Sequence, residues 1–297
     1  MTRIIDAHQH FWKTSLQEQP WREKSHTQLE HDFEPDDLTP ELNSAGVDAT
    51  ILMQSVDEPA ENLRLAEYAT SSRVAGVVAW LPLPDARAAG RELDGLRVPK
   101  LVGVRCLIAD DPLEWLTKDD SIDLFRSIAG RHLVWDVVPI TLEQTQAILK
   151  LARIVPDLRI VIDHLGRPPI ETQEWEPWAS NLRELASCPN VAVKVSVGIN
   201  ALTAWSEWNV EALSRYVELT AQEFGADRMM LASNWPVILL RAQYGQAWND
   251  LTALLFGFFE SQQEREALLG GTAEKWYGLG TTRAPDLQKE VMQSPPE

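Results

Sequence analysis

A single (β/α)8 barrel of the TIM type is the fold class that the sequence predicts, on three observations. Eight short β-rich runs are spread across 297 residues. Each is followed by a turn signal and then by apolar residues at three- and four-residue spacing. The runs are near-continuous in Val, Ile and Leu, as strands are when helices cover the outside of a sheet and side chains fill its inside.

Taken in order, the runs are "RIIDAHQHF" (3–11), "ATILMQSV" (49–56), "VAGVVAWLPL" (74–83), "LVGVRCLI" (101–108), "HLVWDVVP" (132–139), "LRIVIDHLG" (158–166), "VAVKVSVG" (191–198) and "RMMLASNWPV" (228–237). Helical periodicity lies between them in "PAENLRLAEYATSS", "TLEQTQAILKLARIV", "NLRELAS" and "VEALSRYVELTAQEFG". The gap after the first strand, 12–48, is too long for an ordinary βα loop and is expected to be an active-site flap. After the last strand, "AQYGQAWNDLTALLFGFFES" and "QQEREALLGGTAEKWYGL" predict one long and two short extra C-terminal helices. The expected boundaries are a barrel over 1–279 and a polar C-terminal tail over 280–297.

Composition narrows the function classes. A net charge of −17 without a basic run disfavours nucleic acid and anionic membranes as partners, and points to a small molecule. The two cysteines, Cys106 and Cys188, lack the spacing of a zinc knuckle or disulfide framework and are read as reduced structural thiols. No signal-like stretch and no membrane-length apolar run occurs, so the expected compartment is the cytoplasm. The oligomeric state is left open, a homo-oligomer included.

In a parallel barrel the reactive groups sit at the C-terminal ends of strands. There the sequence places His8 and His10 on strand one, Arg105 on strand four, His164 on strand six, Lys194 on strand seven and Asn234 on strand eight. Two alternate residues stand about 6 to 7 Å apart along one strand face, close enough to share one metal ion or one carboxylate. Two imidazoles on one inward face need partners that an apolar core cannot supply. Singly, each histidine is as well explained as a satisfied core residue. His132 is expected to be structural, and His26 and His31 lie in the flap. Of the twelve tryptophans, Trp12, Trp21, Trp80 and Trp235 lie in the flap or at strand ends where an indole can stack on a ring, Trp12 and Trp235 being the preferred pair, whereas Trp115, Trp175, Trp178, Trp205, Trp208, Trp248 and Trp276 are read as packing.

The ordered set "IDAHQHFW", "GVDATILMQ", "LVGVR", "IDHLGRPP", "VAVKVSV" and "ADRMMLASNWPV" resembles the amidohydrolase superfamily over about residues 3–279. Within it the chain is similar to the amidohydrolase-2 group, which holds sugar-lactone hydrolases, 2-pyrone-4,6-dicarboxylate lactonase and 4-sulfomuconolactone hydrolase. The resemblance implies hydrolysis of a small lactone, with Asn234, His164 and Arg105 as catalytic residues. It also implies His8, His10, Trp12, Arg105, Lys194 and Trp235 as the substrate-binding set. His8, His10 and His164 would hold a divalent metal ion, zinc first; a metal-independent site is the alternative. Asn234 departs from the group, which usually carries at this strand-eight position an Asp that activates water, and an amide cannot accept a proton near neutral pH. Either the base has been replaced, or another carboxylate among Asp57, Glu58, Asp110 and Asp136 serves, or the chain is no hydrolase. Asp163 is expected to point away from His164 in a structural role. The rival functions are a metal-dependent decarboxylase or hydratase on the same barrel, and a catalytically inactive ligand-binding barrel.

Overall fold

The computed structural model describes residues 3–280, so most of the expected tail lies outside the described residues. Eight parallel strands follow one another around one sheet in chain order: β1 (Ile5–Gln9), β2 (Ala49–Met53), β3 (Val74–Trp80), β4 (Leu101–Arg105), β5 (Val134–Val137), β6 (Arg159–Ile162), β7 (Val191–Val195) and β8 (Met229–Leu231). All eight predicted strands are present, each shorter than its apolar run because the polar ends turn into the loops that build the mouth.

The connecting helices are α1 (Pro35–Ala45), α2 (Pro59–Tyr68), α3 (Ala86–Gly95), α4 (Asp119–Gly130), α5 (Leu142–Ile154), α6 (Trp178–Ala186), α7 (Ile199–Ala204) and α8 (Ser214–Phe224). After β8 come α9 (Tyr244–Phe256), α10 (Gln262–Glu266) and α11 (Thr272–Tyr277), the one long and two short closing helices expected. The segment 12–48 is not all flap. Glu34 and Asp37 form a capping box, Pro35 occupies the first helical turn and Gly46 ends the helix at φ 69°, so α1 takes its usual place outside the barrel. The flap is confined to the residues before it.

β1 and β8 close the barrel beyond the end of β8. Asn234 N–H donates to the His8 carbonyl at 2.9 Å, and His10 N–H donates to the Trp235 carbonyl at 2.7 Å. The inside is filled in layers. Ile5, Ile51, Val78, Val134, Val161, Ala192 and Met230 form an apolar plug, closed from below by Trp276 and Tyr277 of α11. Two residues further along β5 and β7, and just past the end of β6, the inward positions are charged: Asp136, Lys194 and Asp163, all fully buried. The mouth rests on this polar layer.

Closure from below also depends on Gly270, where a Cβ would lie 1.9 Å from the Arg3 carbonyl oxygen and so requires backbone movement. Gly270→Ala is expected to lower stability by about 1–3 kcal/mol, as overpacking does. Gly90→Ala, within α3 and with nothing near the added methyl, should be neutral or stabilising by about 0.5–1 kcal/mol. Denaturant unfolding of both variants checks this, and equal effects would contradict the packing argument.

Candidate active site

The strand-one motif is held by two carboxylates, one at each end. Asp6 is fully buried and accepts from Ser233 N–H at 2.9 Å, Ser233 Oγ at 2.5 Å, His8 N–H at 3.1 Å and Tyr244 OH at 3.3 Å. It therefore ties β1 to the turn that carries Asn234. That residue sits at φ 59°, a left-handed conformation that Asn tolerates and most residues do not. Burial pushes the Asp6 carboxyl up to about 6 against the pull of those four donors.

Asp163 is the second carboxylate. Its Oδ1 lies 3.0 Å from Lys194 Nζ and 3.2 Å from His8 Nδ1, and its Oδ2 lies 3.6 Å from Arg105 Nε. Against the burial that would raise it, Lys194 and His8 hold this carboxyl well below the usual carboxylate range. Lys194 also contacts Asp136 at 2.5 Å, which in turn accepts from Tyr277 OH at 2.6 Å.

These partners fix the histidine tautomers. The His10 Nδ1 contact is a backbone carbonyl, Met53 O at 3.1 Å, so Nδ1 carries hydrogen and Nε2 a lone pair. At His8 the ionised Asp163 can only accept and is nearer than Lys194 Nζ, at 3.4 Å, so there too Nδ1 carries hydrogen. The two Nε2 atoms then face each other at 3.1 Å, lone pair to lone pair. Such a contact calls for a shared cation. A proton suits it poorly, because burial drives His8 well below its ordinary value and His10 down to about 3. A metal ion suits the donor set: two imidazoles whose far nitrogens donate to a carboxylate and a carbonyl are oriented as metal ligands are. Among the described residues, no group of three or more His, Cys, Asp and Glu converges on one metal position.

The site opens into a cavity of about 450 Å³ at the C-terminal end of the barrel. His10, Arg105, His164 and Asn234 all line it. His8 is buried behind His10, its ring centroid 4.8 Å from that of His10 and 4.6 Å from that of His164. His164 Nδ1 and Ser196 Oγ are 2.7 Å apart, and burial lowers the imidazole to about 4. The Asn234 amide donates to the Val197 carbonyl at 2.8 Å, which leaves its oxygen for the cavity.

Three expectations are corrected. Lys194 does not line the cavity; it is fully buried beside His8, its ammonium held by Asp136 and Asp163. Trp12 and Trp235 do not line the cavity but pack edge-on against Phe33, and the tryptophan at the mouth is Trp21. Asp163 is not set apart from the site. Alternation fails because β6 ends at Ile162, and residues 164 to 167 then run through φ values of 52°, 56°, 65° and 53°. That left-handed turn brings both Asp163 and His164 to His8. It also brings Arg167 to the cavity, a residue the sequence reading quoted in "IDHLGRPP" without a role.

None of the four substitute carboxylates lines the cavity. Asp57 caps Leu107 N–H at 2.9 Å, Glu58 pairs with Arg64, Asp110 is exposed and Asp136 is spent on Lys194 and Tyr277. No Asp or Glu is found among the described lining residues, whereas Arg105 and Arg167 are. His132 is exposed at the start of β5, and His26 and His31 stay in the flap away from the cavity. The flap reaches the mouth through Pro20 and Trp21, anchored by Trp21 Nε1 to Ser55 O at 3.0 Å and Gln17 Nε2 to Ser55 Oγ at 2.9 Å.

A family model described as "Amidohydrolase" matches residues 5–279. An L-fucono-1,5-lactonase of Burkholderia ambifaria is 33% identical, the match covering 94% of this chain and 97% of that protein. An L-fucono-1,5-lactonase of Burkholderia multivorans is 30% identical, with 93% and 96% covered. The crystal structure of an amidohydrolase from Burkholderia multivorans with bound zinc superposes with a TM-score of 0.83 at 29% identity, covering 93% of this chain and 99% of that one.

The Asp6 carboxyl gives a pH-dependent test of the β1–β8 tie. Its folded pKa of about 6 is above its ordinary value of 3.8. The stability it contributes is therefore present at low pH and is lost as pH rises through that interval. The stability difference between wild type and Asp6→Asn is expected to shrink from about pH 4 to about pH 7 in denaturant unfolding. A difference that stays constant or grows would refute it.

Proposed function

The chain belongs to the amidohydrolase family, and from that membership we propose that it is a hydrolase that opens a small lactone ring. The observation that carries the reading is the convergence of His10, Arg105, His164 and Asn234 on one cavity. The chain matches relatives named lactonases along nearly their whole length. The decarboxylase reading has less support.

His8 and His10 would hold a divalent metal ion, zinc first, and a structural relative has been crystallised with bound zinc. That ion would polarise the ester carbonyl as a Lewis acid. His164 is proposed not as a third ligand but as the base. In this reading Nδ1–H donates to Ser196 Oγ, 2.7 Å away, and the Nε2 lone pair is left for a water molecule. A pKa of about 4 gives this imidazole the basicity that an ordinary aspartate would have supplied at position 234. It is neutral, and so competent to take a proton, over the physiological range. The Asn234 amide oxygen accepts the water's second hydrogen and fixes its approach.

As water attacks, its proton passes to His164 and negative charge develops on the carbonyl oxygen. Arg105, held by Gln54 O at 3.1 Å and by Asp163, supplies fixed donors for that oxyanion. Collapse breaks the ring C–O bond, and His164 returns the proton to the leaving alkoxide. The product carboxylate then lies in a cavity with two arginines and no described acid to repel it. Trp21 and Pro20 cover the mouth, which gives the flap a part in substrate choice.

The test is acid release from a panel of aldonolactones and muconolactone- or pyrone-type lactones. His164→Gln should lower kcat by about 10² to 10⁴, with KM far less changed. Asn234→Ala should cost less, because Asn234 only orients water. An unchanged kcat in His164→Gln would remove His164 as the base. Separately, Asp163→Asn is expected to weaken zinc binding by about 10- to 100-fold in a competition titration, because it frees the His8 tautomer.

A further inference from the structure

We propose that the substrate is a lactone whose ring carries a hydrocarbon or aryl substituent rather than a row of hydroxyls; this rests on the lactone-hydrolase reading above. The cavity has two unlike ends. The reacting end holds His10, Arg105, His164 and Asn234, and the remaining wall is mostly apolar, Trp21, Ile108, Val138, Ile140, Ile199 and Val237 among it, with Ser55, Arg167 and Asn200 set in it. Of the polar groups there, the Ser55 hydroxyl and the amide N–H groups of Asn200 and Asn234 are engaged within the protein, which leaves Arg167 and the two amide oxygens. Ser55 Oγ donates to Glu61 Oε1 at 2.9 Å and accepts from Gln17 at 2.9 Å. The amide of Asn200 donates to the Pro168 carbonyl at 3.3 Å and that of Asn234 to the Val197 carbonyl at 2.8 Å. The flap repeats the pattern. Its buried Gln17 and Gln19 turn to Ser55, and what it shows the cavity is Pro20 and Trp21.

A polyhydroxylated lactone presents a hydroxyl on nearly every ring carbon, and each needs a donor or an acceptor once water is excluded. Arg105 and Arg167 give donors at two places and the two amide oxygens give acceptors; the six apolar residues give neither. Sugar recognition also leans on carboxylates to accept from hydroxyls, and none is among the described lining residues. An alkyl or aryl group, by contrast, buries against the wall with no polar group left unpaired, and Trp21 offers it an indole.

The experiment measures kcat/KM for alkyl- and aryl-substituted γ- and δ-lactones against aldono-1,4- and aldono-1,5-lactones of matched ring size. A preference of about 10²-fold or more for the substituted lactones is expected, the scale on which an apolar pocket discriminates against one unpaired hydroxyl. Equal or greater efficiency on aldonolactones overturns the proposal. Turnover of neither class would count against the lactone-hydrolase reading, and calorimetry then decides the substrate class separately with non-hydrolysable ring ethers. Tighter binding of aryl- or alkyl-substituted ethers than of polyhydroxylated ones supports it, and the reverse or equality overturns it. Ile199→Asn, at the edge of the wall, should move the preference toward aldonolactones by about tenfold, chiefly in KM. No movement in a variant of unchanged circular dichroism would overturn the apolar wall as the determinant.

Discussion

The Asp163 carboxylate is the interaction on which the site depends. It is fully buried and meets Lys194, His8 and Arg105 within 3.6 Å. One acid thus serves as counter-ion to the interior lysine, orients the buried histidine and steadies the guanidinium that faces the cavity. A buried ion cluster is no sure source of stability, since desolvation offsets much of the Coulomb gain. Its value here is geometric. Remove the negative charge and Lys194 faces Asp136 alone, His8 loses the acceptor that sets its tautomer, and Arg105 keeps only the Gln54 carbonyl.

The backbone is arranged to the same end. Three non-glycine residues around Gly166 adopt left-handed conformations in one turn, at a cost of about 1–2 kcal/mol each. Packing holds the turn in place, with Trp178 Nε1 donating to the Leu165 carbonyl at 2.8 Å and Gly166 N–H to the Asp163 carbonyl at 3.0 Å. Strain of this kind persists where surrounding structure over-determines it, and such places cluster at functional sites. The turn lets two adjacent residues, Asp163 and His164, both approach His8, which an extended strand would forbid.

The strands were legible because a parallel barrel buries both faces of its sheet, so each strand appears as an apolar run whatever its neighbours are. The mouth was legible in outline for the same reason: the polar residues that end those runs, His8, His10, Arg105, His164 and Asn234, stand out against apolar surroundings. What failed was inference from residue type without direction. Lys194 looks like a substrate cation in sequence, yet two steps above Ala192 on the inward face it meets two aspartates in the barrel interior. Trp12 and Trp235 sit beside the motif residues, but their indoles pack edge-on against Phe33, which the Trp12–Phe33 bridge holds in place. Arg167 escaped notice because nothing in its immediate sequence announces four consecutive positive φ angles.

The amide at position 234 is best understood together with the acids that the cavity lacks. With arginines at the reacting end and a carboxylate at 234, the site would hold an internal ion pair competing with any anion that forms there. On the proposed mechanism, asparagine gives Arg105 no second counter-ion beside Asp163, and the His164 imidazole, which burial lowers to about 4, would serve as the base. The left-handed backbone at 234 narrows the choice further, since Asn and Asp adopt φ 59° at less cost than most other side chains. On the mechanism proposed above, Asn at 234 keeps the turn and leaves the basic role to His164, which lines the same cavity.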